Sequence, residues 1–442
     1  MITNRAEGKV FSIHGRVLVA AAPLLLVALA SVTLGAGCEK VSVETIDKWK
    51  GTVKGPDKLQ DAFTDGGLDP DLRARAAIAL QSLGRGEFVA SALKSMSAGD
   101  RTPVVSALVR LQAATVKNGE GNAQDARDGL FLVREYATGA DRDTADEALM
   151  LAIENQMTSA GKMGGSQSLA KIVEALGPKA SPLLVKLMAM PKAPHAEVAE
   201  LLAKVGDAAA KSQAGDAYLP VAKKAGNAEP GSWQALGLLA SPAVVAYLKH
   251  QVDEAPWQQG QQAARALTLQ PHPELGEFAL VRAANPKLHG NVREEMFTLA
   301  ATCCGAATVP GLAKLMQTSA DPMVKYRAFS AVLQAAGAGG VDAGLDGLDK
   351  VAVKPEDADD FLVKEIAKLG APAREASLKL LSAPAPLKRM VAVMCLAKVG
   401  KPDDAQQLKA LANDKATVKG FPAGQTVGRE ADRVASLLAK GG

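Results

Sequence analysis

Beyond the first forty residues, three cysteines, four histidines and two runs of carboxylates have the chemistry to bind a metal or attack a substrate. Cys303, Cys304 and Cys395 lie in apolar helical stretches and lack the paired spacing of a zinc site. His195, His250, His272 and His289 fall in no H-E-x-x-H, and none is near a cysteine or a G-x-S-x-G serine in sequence. Asp342, Asp346, Asp349, Glu356, Asp357, Asp359 and Asp360 form one acidic stretch, and Asp141, Asp143, Asp146 and Glu147 form another. Calcium needs oxygens converging on one point, as in D-x-D-x-D-G loops, and that spacing is missing. These carboxylates read as solvated loop and helix-start acids. Gly337, Gly339 and Gly340 form a helix–helix turn, with no strand before them to make a phosphate cradle. The residues point to no catalytic site, no metal and no cofactor.

The elements that would position these residues are helices, and the stretch Leu387 to Leu411 shows their grammar. A mostly apolar helix from about Pro386 to Val399 stops at Gly400, where glycine is expected in the left-handed conformation. Pro402 suits the first turn of a second helix. Asp403 and Asp404 sit at its positive end, and Leu408 and Leu411 give it one narrow apolar face. The same pattern recurs along the chain. Its stop residues are Gly177, Gly206, Ser241, Gln270, Gly305, Gly337, Gly370 and Gly400, spaced by 29 to 35 residues. Two helices per period of this length predict an all-α solenoid of stacked antiparallel helix pairs. Apolar residues make up 48% of the chain but aromatics only 4%, which suits close helix packing rather than sheet. Within such a stack Cys395 lies about 25–30 Å from Cys303 and Cys304, too far for a disulfide. The cysteines read as buried free thiols, with a strained Cys303–Cys304 vicinal pair as the alternative. Leu369 is expected to be buried with Ile366 and Leu362.

Asp69-Pro70-Asp71-Leu72-Arg73, followed by Ala76-Ala77, Ala79-Leu80 and Leu83-Gly84, resembles the first helix of the HEAT-like (armadillo-type) repeat family. Asp321-Pro322-Met323-Val324-Lys325 repeats the opening with lysine for arginine, and Arg389 precedes Gly400 as Arg73 precedes Gly84. Most other copies lack that arginine, and the period is shorter than the ~40 residues usual for the family. Tetratricopeptide repeats are the rival, but their W-L-G-Y signature is absent. The resemblance covers roughly residues 60 to 440.

Arg5, Lys9 and Arg16 form a basic start, and Val17 to Thr33 is an apolar run slightly short for a membrane span. Leu34-Gly35-Ala36-Gly37-Cys38 then looks like a bacterial lipobox, with Gly35 where that pattern wants leucine. The resemblance implies a signal peptide over 1–37, a lipid on Cys38 and a tether over 38–64 before the repeats of 65–442. An ordinary cleaved secretory signal and a retained anchor are the alternatives. Glu39, in place of the aspartate that retains such proteins at the inner membrane, implies the outer membrane, facing the periplasm.

The net charge of +4 is nearly neutral for 442 residues and predicts no nucleic-acid partner. Trp233, Tyr247, His250 and Trp257 cluster along two consecutive repeats of an aromatic-poor chain and form the candidate protein-binding patch. The competing reading is that they fill gaps between repeats. The leading function is a non-enzymatic scaffold gripping other envelope proteins, held to the membrane by its N-terminal lipid. The alternative is an enzyme accessory or lyase-like HEAT-repeat protein acting on a protein substrate.

Overall fold

The computed structural model describes residues 40–119, 122–160, 167–226, 231–348 and 351–440. Residues 1–37 and Cys38 lie outside these, as do Asp349 and the Gly161 to Ser166 connector. Helices follow one another from Val43–Trp49 to Val427–Lys440. Apart from an isolated Thr417–Thr426 bridge there is no β-structure among the described residues.

The helices form two rows. The first row includes Pro70–Ser82, Ala98–Asn118, Ala140–Ala160, His195–Val205, Ser232–Leu239, Trp257–Leu269, Gly290–Cys304, Pro322–Ala336, Pro386–Val399 and Val427–Lys440. Between them run second-row helices such as Ala208–Lys224, Pro242–Glu254, Leu275–Ala284, Val309–Thr318, Val341–Leu348 and Ala371–Leu380. First-row helices pack side by side from Pro70–Ser82 to Ala140–Ala160, from His195–Val205 to Pro322–Ala336, and from Pro386–Val399 to Val427–Lys440. Gln167–Leu176 and residues 358–367 fill the two gaps in the row, and each of these second-row helices also packs against the next of these first-row helices. The chain is an all-α solenoid. Alanine lets the rows approach closely: Ala263, Ala264, Ala300, Ala328 and Ala392 are all buried, interleaved with Leu236, Leu299 and Leu396.

Residues 43–64, assigned from the sequence to the tether, are helical and packed. Ile46, Trp49, Leu59 and Phe63 are buried in the helices Val43–Trp49 and Gly55–Thr64, which rest on Pro70–Ser82. The Lys58 ammonium sits 5.1 Å from the centre of the Trp49 ring. An end repeat would otherwise expose its apolar face, and this pair covers it.

Two local expectations are corrected. Gly337 follows its helix at φ +57 and ψ −139, a positive φ that favours glycine, but Gly400 has φ −72 and ψ 164. Gly400 is required by space. A Cβ there would lie 2.4 Å from the Leu396 carbonyl oxygen and 3.0 Å from Leu438 of the last helix. Leu362 and Ile366 are buried as expected, but Leu369 is only half-buried. The segment Ala358–Val363 is a π-helical turn. Such a turn fits in an extra residue and rotates the apolar face, and the helix has ended at Ala367 before Leu369 is reached.

The last loop doubles back on the stack. The Val353 N–H donates to the Lys419 carbonyl at 3.1 Å. Gly420, at φ +99, lies so close that a Cβ would be 2.5 Å from the Val353 oxygen. Val353 and Val418 are both buried beneath this strap.

Candidate binding surface

The rows are held in register by polar bonds that reach about one repeat along the chain. Arg73, four residues past the N-cap Asp69, is buried. Its Nε donates to the Phe63 carbonyl at 3.0 Å and a terminal nitrogen to Asp100 Oδ2 at 3.2 Å. Arg293 holds the same position after the N-cap His289, bonding the Ala283 carbonyl at 3.1 Å and Asp321 at 3.5 Å. Arg389 follows Ala385 in the same way, bonding the Ala383 carbonyl at 2.6 Å and Asp414 at 2.7 Å. In each case a guanidinium ties the preceding segment to the next repeat. Sequence reading missed Arg293 because a histidine stands at its N-cap where the pattern has aspartate. The position relative to the cap was the signal that could have found it.

Side chains on neighbouring first-row helices continue the ladder. Lys204 bonds Glu174 at 2.9 Å, Gln234 bonds Glu200 at 2.7 Å, Arg265 bonds Glu295 at 2.6 Å and Lys398 pairs with Asp359 at 2.8 Å. Arg327 pairs with Glu294. The acidic stretches are drawn into the same scheme. Asp342 and Asp346 both lie 2.6 Å from the Nζ of buried Lys388. Burial works against the Lys388 charge, but the two carboxylates outweigh it and raise the ammonium above its ordinary range. Asp357 accepts from the Tyr326 hydroxyl at 3.0 Å; burial and this carboxylate push the Tyr326 phenol up. Asp146 lies between Arg134 and Lys179, and those bonds overcome the effect of burial to hold its carboxyl below the usual range. Among the described residues no group of three or more His, Cys, Asp or Glu converges to hold a metal.

The four candidate contact residues divide between the rows. Trp233 begins the first-row helix Ser232–Leu239 and is half-buried. Trp257 begins the next first-row helix, is 41% exposed, and stacks on His289 with ring centres 4.4 Å apart. Tyr247 and His250 lie on the second-row helix Pro242–Glu254, Tyr247 half-buried and His250 exposed. Trp233 and Trp257 thus stand at helix starts, whereas Tyr247 and His250 lie within the body of their helix.

The second row carries a strip that the sequence reading did not assemble. The Lys223 ammonium sits 4.9 Å from the Tyr247 ring centre. On the next helices Lys249 lies 5.4 Å and the Arg282 guanidinium 4.2 Å from the centre of Phe278. Arg282 is oriented by Asp253 at 2.8 Å, and Val281 beside it is 55% exposed. Three consecutive helices, Ala208–Lys224, Pro242–Glu254 and Leu275–Ala284, thus present cations laid over aromatic faces. A cleft of about 320 Å³, lined by Val245, Lys249, His272 and Glu274, opens between the second of these helices and the turn that precedes the third. A larger one of about 540 Å³ lies farther along, lined by Asp342, Glu375, Lys379 and Lys388. Arg282 and Phe278 share one helix, but the Lys223–Tyr247 and Lys249–Phe278 pairs join different helices, so one sequence window does not show the strip.

Compared with known proteins, the chain matches no protein-family model and finds no curated relative.

Proposed function

We propose that this chain is a non-enzymatic scaffold of HEAT-like repeats that binds a protein partner along its second row. The observation that carries this reading is the strip formed by Lys223, Tyr247, Lys249, Phe278 and Arg282. Its aromatic and cationic groups run across three repeats, the surface chemistry that protein interfaces favour. The arginines Arg73, Arg293 and Arg389, each bonded to a carbonyl behind and a carboxylate ahead, support the HEAT-like assignment. An N-terminal lipid on Cys38 would hold the solenoid to a bacterial envelope membrane, and Glu39 favours the periplasmic face of the outer membrane.

Affinity capture from detergent-solubilised envelopes tests the binding role. A stable set of envelope proteins retained by the wild type and lost with Tyr247→Ala plus Arg282→Glu is the supporting result; retention unchanged by both substitutions overturns the assignment of this face. Mass spectrometry of the mature N-terminal peptide tests the anchor independently, and an unmodified Cys38 overturns it.

A further inference from the structure

Cys303 and Cys304 are consecutive thiols whose Sγ atoms lie 3.2 Å apart. Cys303 is buried, whereas Cys304 is half-exposed. Cys304 is the last residue of its helix and has already left helical geometry, with φ −132 and ψ −1. Gly305 follows at φ +51 and ψ −133 and opens the short 3-10 turn Gly305–Thr308, so the pair sits at the break between two helical segments. The Cys304 thiol donates to the Pro273 carbonyl at 3.1 Å, and the Cys303 thiol lies 3.7 Å from the Ala300 carbonyl. Gly276 leaves room for both sulfurs: a Cβ there would sit 2.8 Å from Cys304 Sγ and 3.6 Å from Cys303 Sγ.

We propose that Cys303 and Cys304 form a reversible dithiol–disulfide site, oxidised by small-molecule disulfides and reopened by small thiols. In the first step the Cys304 thiolate attacks one sulfur of the small disulfide. That S–S bond breaks, a mixed disulfide forms on Cys304, and one small thiolate leaves. In the second step the Cys303 thiolate attacks the Cys304 sulfur and expels the second small thiolate. The two protons shed by the cysteines pass to the two departing thiolates. The protein pair loses two electrons and the small disulfide gains them.

Exposure sets the order of attack. Burial, together with the neighbouring Cys304, pushes the Cys303 thiol up to about 12, so Cys303 is not the entering nucleophile. Cys304's share of that effect disappears once Cys304 is in a mixed disulfide, while burial, the larger cause, remains, so resolution by Cys303 is the slower step. Adjacent Cα atoms across a trans peptide are about 3.8 Å apart, shorter than the roughly 4.4–6.8 Å usual for a disulfide. The closed form is therefore strained and readily reduced, which suits a switch rather than a staple. Closing the pair takes Cys304 off the Pro273 carbonyl. It thereby frees the turn whose His272 and Glu274 wall the cleft beside Lys249.

The purified full chain, equilibrated in glutathione buffers of rising disulfide fraction, acid-quenched and alkylated, tests this. The tryptic peptide from Glu294 to Lys314 holds both cysteines. The result expected is joint loss of both alkylation sites with loss of two hydrogens, restored by dithiothreitol, and faster amide exchange around Pro273 to Gly276. Cys395, buried on another helix, stays alkylatable after unfolding and serves as the internal reference. Cys304→Ala should leave Cys303 unmodified. A glutathione adduct on Cys304 that never closes, or two thiols still alkylatable in the most oxidising buffer, overturns the proposal. Both readouts are made on the wild type and do not depend on a variant folding.

Discussion

Arg73 and Asp100 lock the first two full repeats together, with Asp100 Oδ2 accepting from the Arg73 guanidinium at 3.2 Å across twenty-seven residues. The two partners are not equivalent. Arg73 is 2% exposed along its side chain and Asp100 is 37% exposed. Asp100→Ala leaves a buried guanidinium without its counter-charge, whereas Arg73→Met removes the charge and keeps most of the stem. Asp100→Ala should cost about 2–3 kcal/mol, discounted for the open side of the carboxylate, and Arg73→Met less. Urea unfolding of the two variants checks the order, and equal costs would show that the charge is not what the bond protects.

Acid should loosen the stack from specific points. The Arg374 guanidinium and the Lys401 N–H hold the buried Asp404 carboxyl below its ordinary value of 3.8. Burial pushes Asp414 the other way, but Arg389 and the Ala416 N–H overcome it and lower that group too. A depressed carboxylate contributes stability that is fully present above its unfolded pKa and is lost as pH falls through its folded one. The urea midpoint should therefore be unaffected by these groups near neutrality and fall below about pH 4. Asp404→Asn should lower the midpoint at pH 7 and flatten the acid limb. An unchanged acid limb would remove Asp404 from the account.

Gly400 and Gly337 should fail differently. A Cβ at Gly337 meets nothing within 4 Å, and its cost comes from the positive φ alone, about 1 kcal/mol. A Cβ at Gly400 meets the Leu396 oxygen at 2.4 Å and Leu438 at 3.0 Å, so Gly400→Ala should cost about 1–3 kcal/mol through overpacking. Hydrogen exchange should quicken in Val427–Lys440 for Gly400→Ala and stay unchanged there for Gly337→Ala.

The Trp257–His289 stack offers a mild test of the helix cap. His289 Nδ1 accepts from the Asn291 N–H at 3.2 Å. His289→Asn keeps a side-chain acceptor at the cap, while His289→Ala loses it along with the ring, at a cost of about 1 kcal/mol. Thermal melts of both variants should rank wild type and asparagine above alanine. Tryptophan fluorescence should change in both, because both unstack Trp257.

The helix from Pro386 to Val399 was legible from local signals: a proline at the start, an apolar body, a glycine after the end. What Gly400 does was not, because the space for a Cβ is closed by the Leu396 carbonyl oxygen and by Leu438, thirty-eight residues away. Arg293 was hidden by an unusual cap residue, and Leu369 by a π-helical turn that no spacing rule anticipates. Trp257 and Tyr247 were visible as scarce aromatics. Their partners, His289 and Lys223, sit on neighbouring helices, and the pairing appears only once the helices are stacked. Period and composition thus reach the architecture, while the surface depends on which faces adjoin.

The strap from Lys419 to Val353 bears on how the chain is completed. Contacts along most of the solenoid join one repeat to the next, so a ribosome releasing the chain from its N-terminus exposes each unit shortly before its neighbour arrives. The segment around Val353 is an exception. Its backbone partner is sixty-six residues downstream, and until Lys419 and Gly420 emerge a fully buried valine lacks its cover. The last two helix pairs and the final helix therefore reach their final form together, and a chain cut short after Lys409 would lose more than its terminal helix.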